Sequence, residues 1–253
     1  MVADRLTQIR RYLYLNGITG VHELAEKIDA SLATVRRDLQ RLEDEGIIVR
    51  THGGAAIAES KDREIAFETR EKLNIENKRA IAQAAFPHLK KGSAVFFDSG
   101  TSVLQFARLL RLDPMPLKVF SNNILIAETL SGVSGIDMTL LGGKVRHTQR
   151  SIVGWLAEQV IGGLWFDQAY LGAHAVQSDD SIATPDGEEA SLNAAIMRRT
   201  DECHLLADHT KFDRHSTYRV GGLNQLSHIF TDTKLDPARL RALRERGHKI
   251  IVA

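Results

Sequence analysis

Residues 31–46, SLATVRRDLQRLEDEG, constrain this chain more than any other stretch. Leu32, Val35, Leu39 and Leu42 recur at i, i+3, i+7 and i+10, which stacks them along one stripe of a helix. That stripe must face a core. At about 100° per residue, Ala33, Thr34, Arg37, Gln40 and Arg41 fall on the opposite side, with Arg36 on the flank. Ser31 suits the N-cap, where its hydroxyl accepts from a first-turn N–H, and Gly46 suits the C′ position that ends a helix.

The flanking sequence turns this helix into a motif. Residues 5–16 predict a helix through Leu6, Ile9 and Leu13, stopped by Asn16-Gly17, and residues 21–28 a shorter one through Leu24, Ala25 and Ile28. Only Asp29-Ala30-Ser31 separates the second helix from the third, which is a helix-turn-helix spacing. Two apolar runs, 47–50 and 55–57, then flank a Gly-containing turn and predict a hairpin, so three helices and a hairpin make a winged helix. Such a domain would offer Ser31, Ala33, Thr34, Arg37, Gln40 and Arg41 to the major groove of a double-stranded DNA operator. Thr34 and Arg37 suit base edges, while Arg36, Arg41, Arg50 and His52 suit the phosphate backbone. Bulk charge does not carry this reading. Residues 1–57 hold 8 Lys or Arg and 8 Asp or Glu, net zero, and the whole chain is +1, so placement of the arginines decides.

The order of residues here resembles the DeoR family of bacterial transcriptional repressors. The resemblance runs through Glu23-Leu24, Ser31, Thr34, Arg36-Arg37-Asp38-Leu39, Leu42-Glu43, Gly46, Arg50 and His52-Gly53-Gly54-Ala55. Ala30 stands where the family often has Val, a difference of packing rather than role.

At 253 residues the chain is long enough for one small and one larger domain. Residues 1–57 form the first, the charge-rich stretch 58–76 reads as a linker, and 77–253 form the second. A helix over 78–89 is ended by Pro87. From residue 93 on, apolar strands at 94–97, 118–120, 138–141, 168–171, 204–207, 228–230 and 249–252 alternate with helical stretches, the pattern of a Rossmann-like α/β domain with a parallel sheet. No run approaches the ~20 apolar residues of a membrane span, and three arginines lie in the first 15 residues where a signal peptide needs an apolar stretch, so a cytoplasmic protein is expected. Cys203 is the only cysteine and falls in an apolar strand, a packing position rather than a reactive thiol.

In an open α/β sheet, ligands bind beyond the carboxyl ends of the strands. Five loops sit there. Asp98-Ser99-Gly100-Thr101-Ser102 gathers hydroxyls and N–H groups at a helix start, which suits a phosphate or a simple N-cap. Ser121-Asn122-Asn123, then Gly142-Gly143-Lys144-Val145-Arg146, then Gly172-Ala173-His174, and last Asp208-His209-Thr210-Lys211 follow the next four strands. Lys144, Arg146 and Lys211 suit a phosphate or a solvated surface, and Asn122, Asn123, Asp186 and Asp208 suit sugar hydroxyls. His174 suits a hydrogen-bonding sensor or a packed loop position.

These loops extend the resemblance over nearly the whole chain. Asp98 to Ser102, Ser121-Asn122-Asn123, Leu140 to Gly143 with Arg146, Gly172-Ala173, Asp186 with Glu188-Glu189-Ala190, and Ala207-Asp208 with Lys211-Phe212 match the DeoR-type sensor domain. By that resemblance the domain is similar to ribose-5-phosphate isomerase and senses a phosphorylated sugar or related metabolite. After Gly-Ala the family has Asp-Gly where this chain has His174-Ala175, which bears on ligand identity.

The expectation is therefore a ligand-responsive repressor acting as a homodimer or homotetramer, with no cofactor, no metal and no catalysis. His204 and His209 lack metal-ligand spacing, and no nucleophile elbow is present. The alternative is a sugar-phosphate isomerase carrying a DNA-binding module. Its carboxylate base would have to come from Asp186, Glu188 or Asp208, because His174 replaces the aspartate.

Overall fold

The computed structural model describes residues 2–44, 47–51, 53–57 and 67–253. The expected C′ residue Gly46, the expected backbone contact His52 and residues 58–66 of the expected linker lie outside the described residues. The chain divides into two compact units, Met1–Glu64 and Ile65–Ala253.

In the first unit, α1 (Val2–Asn16), β1 (Thr19–Gly20), α2 (Val21–Ile28), α3 (Leu32–Asp44), β2 (Ile48–Thr51) and β3 (Gly54–Ile57) follow one another. The strands form an antiparallel sheet in the order β1-β3-β2, with Thr51 opposite Gly54 at the turn and Thr19 opposite Ala55. Leu6, Ile9 and Leu13 of α1, Leu24 of α2, Val35, Leu39 and Leu42 of α3 and Ile48 of β2 share one core. Of the four leucine-stripe positions, Leu32 alone is only half-buried, because it sits in the first turn at the edge of that core. The turn between α2 and α3 bends at Asp29, whose φ of 52° is left-handed and whose N–H closes back on the carbonyls of Ala25 and Glu26.

The second unit opens with α4 (Phe67–Lys72) and α5 (Ile75–Ala85). Residues 67–76, expected in the linker, belong instead to this unit. Phe67 is the reason: it is fully buried in a core that includes Ile81, Phe97 and Phe106, and burying one aromatic ring carries the short helix with it.

The chain continues through β4 (Ala94–Phe97), α6 (Thr101–Leu112), β5 (Leu117–Ser121), α7 (Ile124–Leu130), β6 (Ile136–Leu140), β7 (Lys144–Arg146), β8 (Ser151–Val153), α8 (Trp155–Gly162) and β9 (Phe166–Leu171). It ends with β10 (Ala175–Val176), β11 (Ser181–Thr184), α9 (Gly187–Arg198), β12 (Thr200–Leu206), β13 (Tyr218–Gly222), β14 (His228–Thr231), α10 (Pro237–Glu245) and β15 (Ile250–Val252). All seven strands read from the sequence form one parallel sheet in the order β15-β14-β12-β9-β4-β5-β6. The side-chain period of two divides its core. Val95, Phe97 and Tyr170 face one apolar cluster, while Phe96, Ala169 and Leu171 face the other, so both faces of the sheet are covered.

Two antiparallel pieces were not legible. One is the hairpin of β7 and β8, and the other a small sheet in the order β10-β11-β13. Their strands are two to five residues long, too short to show a period. On α8, Trp155 and Leu156 stay exposed while Ala157 and Ile161 pack inward. No helix among the described residues is long and apolar enough to cross a membrane.

Candidate nucleic-acid interface and ligand crevice

On α3 the stripe that packs inward leaves the arginines outside. Ser31, Ala33, Arg36, Arg37, Gln40 and Arg41 are exposed, Thr34 is half-exposed, and Arg50 is exposed on β2. Ser31 caps the helix as its residue type suggests: its Oγ accepts from the Thr34 N–H at 3.2 Å and lies 2.8 Å from Thr34 Oγ1. Arg36 and Arg37 have no acidic partner among the described residues, so both guanidiniums are available to an anionic surface. Asp38, between the arginines and the core, is buried. It accepts from Arg5 Nε at 2.5 Å and from Arg5 Nη2 at 3.2 Å, and that bond also holds the Arg5 guanidinium above its ordinary pKa. An acid that would repel phosphate is thereby removed from the exposed face. The sequence reading missed this bond, since Arg5 lies 33 residues away.

In the second unit the strand order reverses between β4 and β9, and ligand crevices form where such reversals occur. The loops that leave these two strands meet closely there. A Cβ on either Gly100 or Gly172 would lie 3.0 Å from the other's Cα, tighter than ordinary packing, so the two glycines let these loops approach this closely. Asp98 sits beneath it, buried, its Oδ2 accepting from the Gly172 N–H at 2.9 Å. Burial, followed by the nearby charge of Glu189, pushes its carboxyl up to about 6, while hydrogen bonds from Gly172, Ser99 and Asn193 pull the other way. Ser99, Thr101 and Ser102 are all buried at the start of α6, and no side chain caps that helix.

The two asparagines after β5 divide their work. Asn123 uses both ends of its amide on the fold: Oδ1 accepts from Ile126 N to cap α7, and Nδ2 reaches the Ser99 carbonyl at 3.4 Å. Its amide is thus committed to scaffolding in this structure. Asn122 donates to the Ile152 carbonyl at 3.2 Å, but its Oδ1 is buried with no partner. Ser151 Oγ, Thr184 Oγ1 and Asn193 Oδ1 are buried and unpartnered as well. Buried polar atoms are ordinarily satisfied; Asn122 follows β5, Ser151 bridges to Asn123 and Asn193 hydrogen-bonds Asp98, so three of these four lie beside the strand-order reversal. None of Ser151, Thr184 and Asn193 was singled out from the sequence, because a lone Ser, Thr or Asn has no periodic signal.

Two of the three cations expected to meet a phosphate are paired with acids. Lys144 Nζ lies 2.6 Å from Glu188 Oε2, and Arg146 bonds Glu189 at 2.6 Å and Asp186 at 3.4 Å. These acids fill the first turn of α9, where negative charge complements the helix dipole, and Asp186 itself caps that helix by accepting from Glu189 N. Asp186 is therefore a cap and ion-pair partner before it is a sugar ligand. Gly142 is exposed, and a Cβ on Gly143 would lie 2.7 Å from the Val153 carbonyl, so Gly143 serves the hairpin. His174 is half-buried on the loop after β9.

Around Asp208 the structure gathers more charge than the sequence suggested. Asp208 is buried and accepts from the N–H and hydroxyl of Thr210. Lys211 is half-buried, and burial lowers its pKa while Asp208 opposes that shift. Lys78, from α5, is fully buried. It is lowered to about 8, mainly by burial, and Asp208 again raises it while Lys211 lowers it. His209 and Asp232 adjoin them. Ligand atoms of Asp208, His209 and Asp232 lie within 4.8 Å of one another, a grouping across β12 and β14 that sequence spacing did not reveal. Asp232 is already committed, however, to His209 Nδ1 at 2.9 Å and to the N–H groups of His209 and Lys234. Asp208 is likewise bonded to Thr210 and stands in the field of Lys78 and Lys211.

Comparison with known proteins agrees with both halves. The model for the DeoR-like helix-turn-helix domain matches residues 5–61, and that for the DeoR C-terminal sensor domain matches residues 73–233. The HTH-type transcriptional regulator GlpR of Haloferax volcanii is 32% identical over 231 residues, 91% of this chain and 90% of its own. The lactose phosphotransferase system repressor of Lactococcus lactis subsp. lactis is 33% identical over 238 residues, 93% of each chain. Ribose 5-phosphate isomerase A of Methanocaldococcus jannaschii aligns with a TM-score of 0.41 at 15% identity, covering 55% of each chain.

Proposed function

Because the chain belongs to the DeoR family of DNA-binding transcriptional regulators, we propose that it represses a sugar or carbon-metabolism operon and that a phosphorylated sugar in the crevice changes its affinity for the operator. The observation that carries the first half is the two-sided α3, which packs Val35, Leu39 and Leu42 inward and leaves Arg36, Arg37, Gln40 and Arg41 open to solvent. Thr34 and Arg37 read base edges, and Arg36, Arg41 and Arg50 hold phosphates, joined by His52. The second half is supported by the unpartnered atoms of Asn122, Ser151 and Asn193 for sugar hydroxyls, and by Lys211 and the start of α6 for the phosphate. The relative from Lactococcus lactis, named a lactose phosphotransferase system repressor, supports a sugar operon as the target.

The chain works as a homodimer or homotetramer in the compartment that holds the DNA, since two recognition helices reach half-sites one helical turn apart only when two copies pair. It carries out no turnover. A thermal-shift screen of phosphorylated sugars, paired with a gel shift on an operator duplex, tests the proposal: a ligand that binds the folded state raises the melting point, and the same ligand must change duplex affinity. A chain that binds no duplex, or that turns over a pentose phosphate, defeats it.

A further inference from the structure

The first helix of the second unit, α4, has only six residues, too few to be stable alone, so its position is set by what grips it. Apart from the buried ring of Phe67 and the Glu71–Arg108 pair at 2.6 Å, which tie it to α6 and the core, its grips lead to the crevice. On its flank, Arg70 donates to Gln149 Oε1, and Glu68 pairs with Arg150 at 3.0 Å. Past its C-terminal end, Lys78 Nζ donates to the carbonyls of Arg70 and Leu73, two of the groups a helix end leaves unsatisfied.

Two of these grips, Gln149 and Arg150, are bonded onward to a crevice group. Gln149 and Arg150 form the turn between β7 and β8, where Arg150 is left-handed at φ 53°. The Arg150 carbonyl accepts from Ile124 N at 3.0 Å, the Ile152 N–H donates to the Asn122 carbonyl at 2.7 Å, and Ser151 bridges to Asn123. Asn122, with its unpartnered Oδ1, is thus locked to the turn that holds α4. Lys78 shares the field of Asp208 with Lys211. In chain order α4 is also the first described helix after the winged helix.

We infer that α4 is the relay between the two functions: a ligand engaging Asn122 or the Asp208–Lys211 corner shifts the Gln149–Arg150 turn or Lys78, and α4 passes that shift along the chain to the DNA-binding unit. Lys78, Gln149 and Arg150 are then positioning residues whose effect is read at the operator. This rests on the reading that crevice occupancy controls operator affinity. Since both ends of a relay bias the same equilibrium, loosening the grips must change duplex affinity even with no ligand added.

The test uses the full chain and a duplex selected by that chain from a random pool, with affinity measured by fluorescence anisotropy at fixed salt and without ligand. Gln149→Ala and Glu68→Arg are each expected to change the duplex Kd at least fivefold, in either direction. The swap Glu68→Arg with Arg150→Glu is expected to return it to within twofold of the parent. Arg79→Gln, which cuts an exposed pair of α5 outside the grips, is expected to leave it unchanged. Hydrogen exchange at residues 70–73 reports whether α4 has loosened. Faster exchange there with duplex Kd unchanged within twofold overturns the relay. Should Gln149→Ala fail to fold, the exposed Glu68–Arg150 swap decides alone. If the grip variants shift Kd while no phosphorylated sugar does, the relay stands and the ligand class falls.

Discussion

Arg5 Nε donates to Asp38 Oδ2 at 2.5 Å, joining the first helix of the winged domain to the third beneath the exposed arginines. Asp38 is buried, so without Arg5 its carboxylate is left poorly satisfied, and without Asp38 the half-buried Arg5 loses its fixed partner. Arg5→Met and Asp38→Ala are each expected to lower the melting point of the winged domain by several degrees. In a double-mutant cycle the pair should lose less than the sum of the two, as followed by calorimetry.

On the proposed reading, Arg37 and Arg36 should separate by role. Arg37→Ala should cost about 1–3 kcal/mol on the selected duplex and relax preference at one base position. Arg36→Ala should weaken all duplexes alike and reduce the slope of log K against log salt by about 1. Anisotropy titrations at four salt concentrations distinguish them.

Adjacent asparagines should behave oppositely. Asn123→Ala removes the cap of α7 and should cost about 1 kcal/mol of stability. Asn122→Ala should leave the melting point of the unliganded chain closer to the parent while abolishing the melting shift given by a phosphorylated sugar. Thermal melts with and without ligand read both.

Stability against pH should show two opposed slopes. His204 lies buried on β12, stacked on His228 at 5.4 Å, with His88, Glu202 and Lys90 around it. Burial, then the other histidines, lower it to about 4, so the unfolded chain takes up a proton first as pH falls below about 6.5. Its contribution is complete above about 6.5 and is lost as pH drops toward 4. Asp98, raised to about 6, works the other way. The unfolded carboxyl gives up its proton near its ordinary value while the folded one holds it, so stability falls as pH rises through about 6. Chemical melts from pH 4 to 7 should therefore steepen toward acid instability in Asp98→Asn and reverse their slope in His204→Phe.

Much of this molecule could be read before any coordinates. The leucine stripe of α3 shows in a period of 3.6, the connection at 29–31 in its shortness and the seven strands as short apolar runs, all within a few residues, and the motif residues fixed the family. Tertiary structure decided the rest: that Phe67 draws α4 into the second unit, that Lys144 and Arg146 meet acids some 40 residues onward, that Asn123 caps a helix while Asn122 keeps an open acceptor, and that Asp208, His209 and Asp232 converge. The division has a physical cause. A repeating pattern records which face of an element is buried, but the partner of a single polar or charged side chain depends on which distant segment packing brings within 3 Å of it, and no local period encodes that.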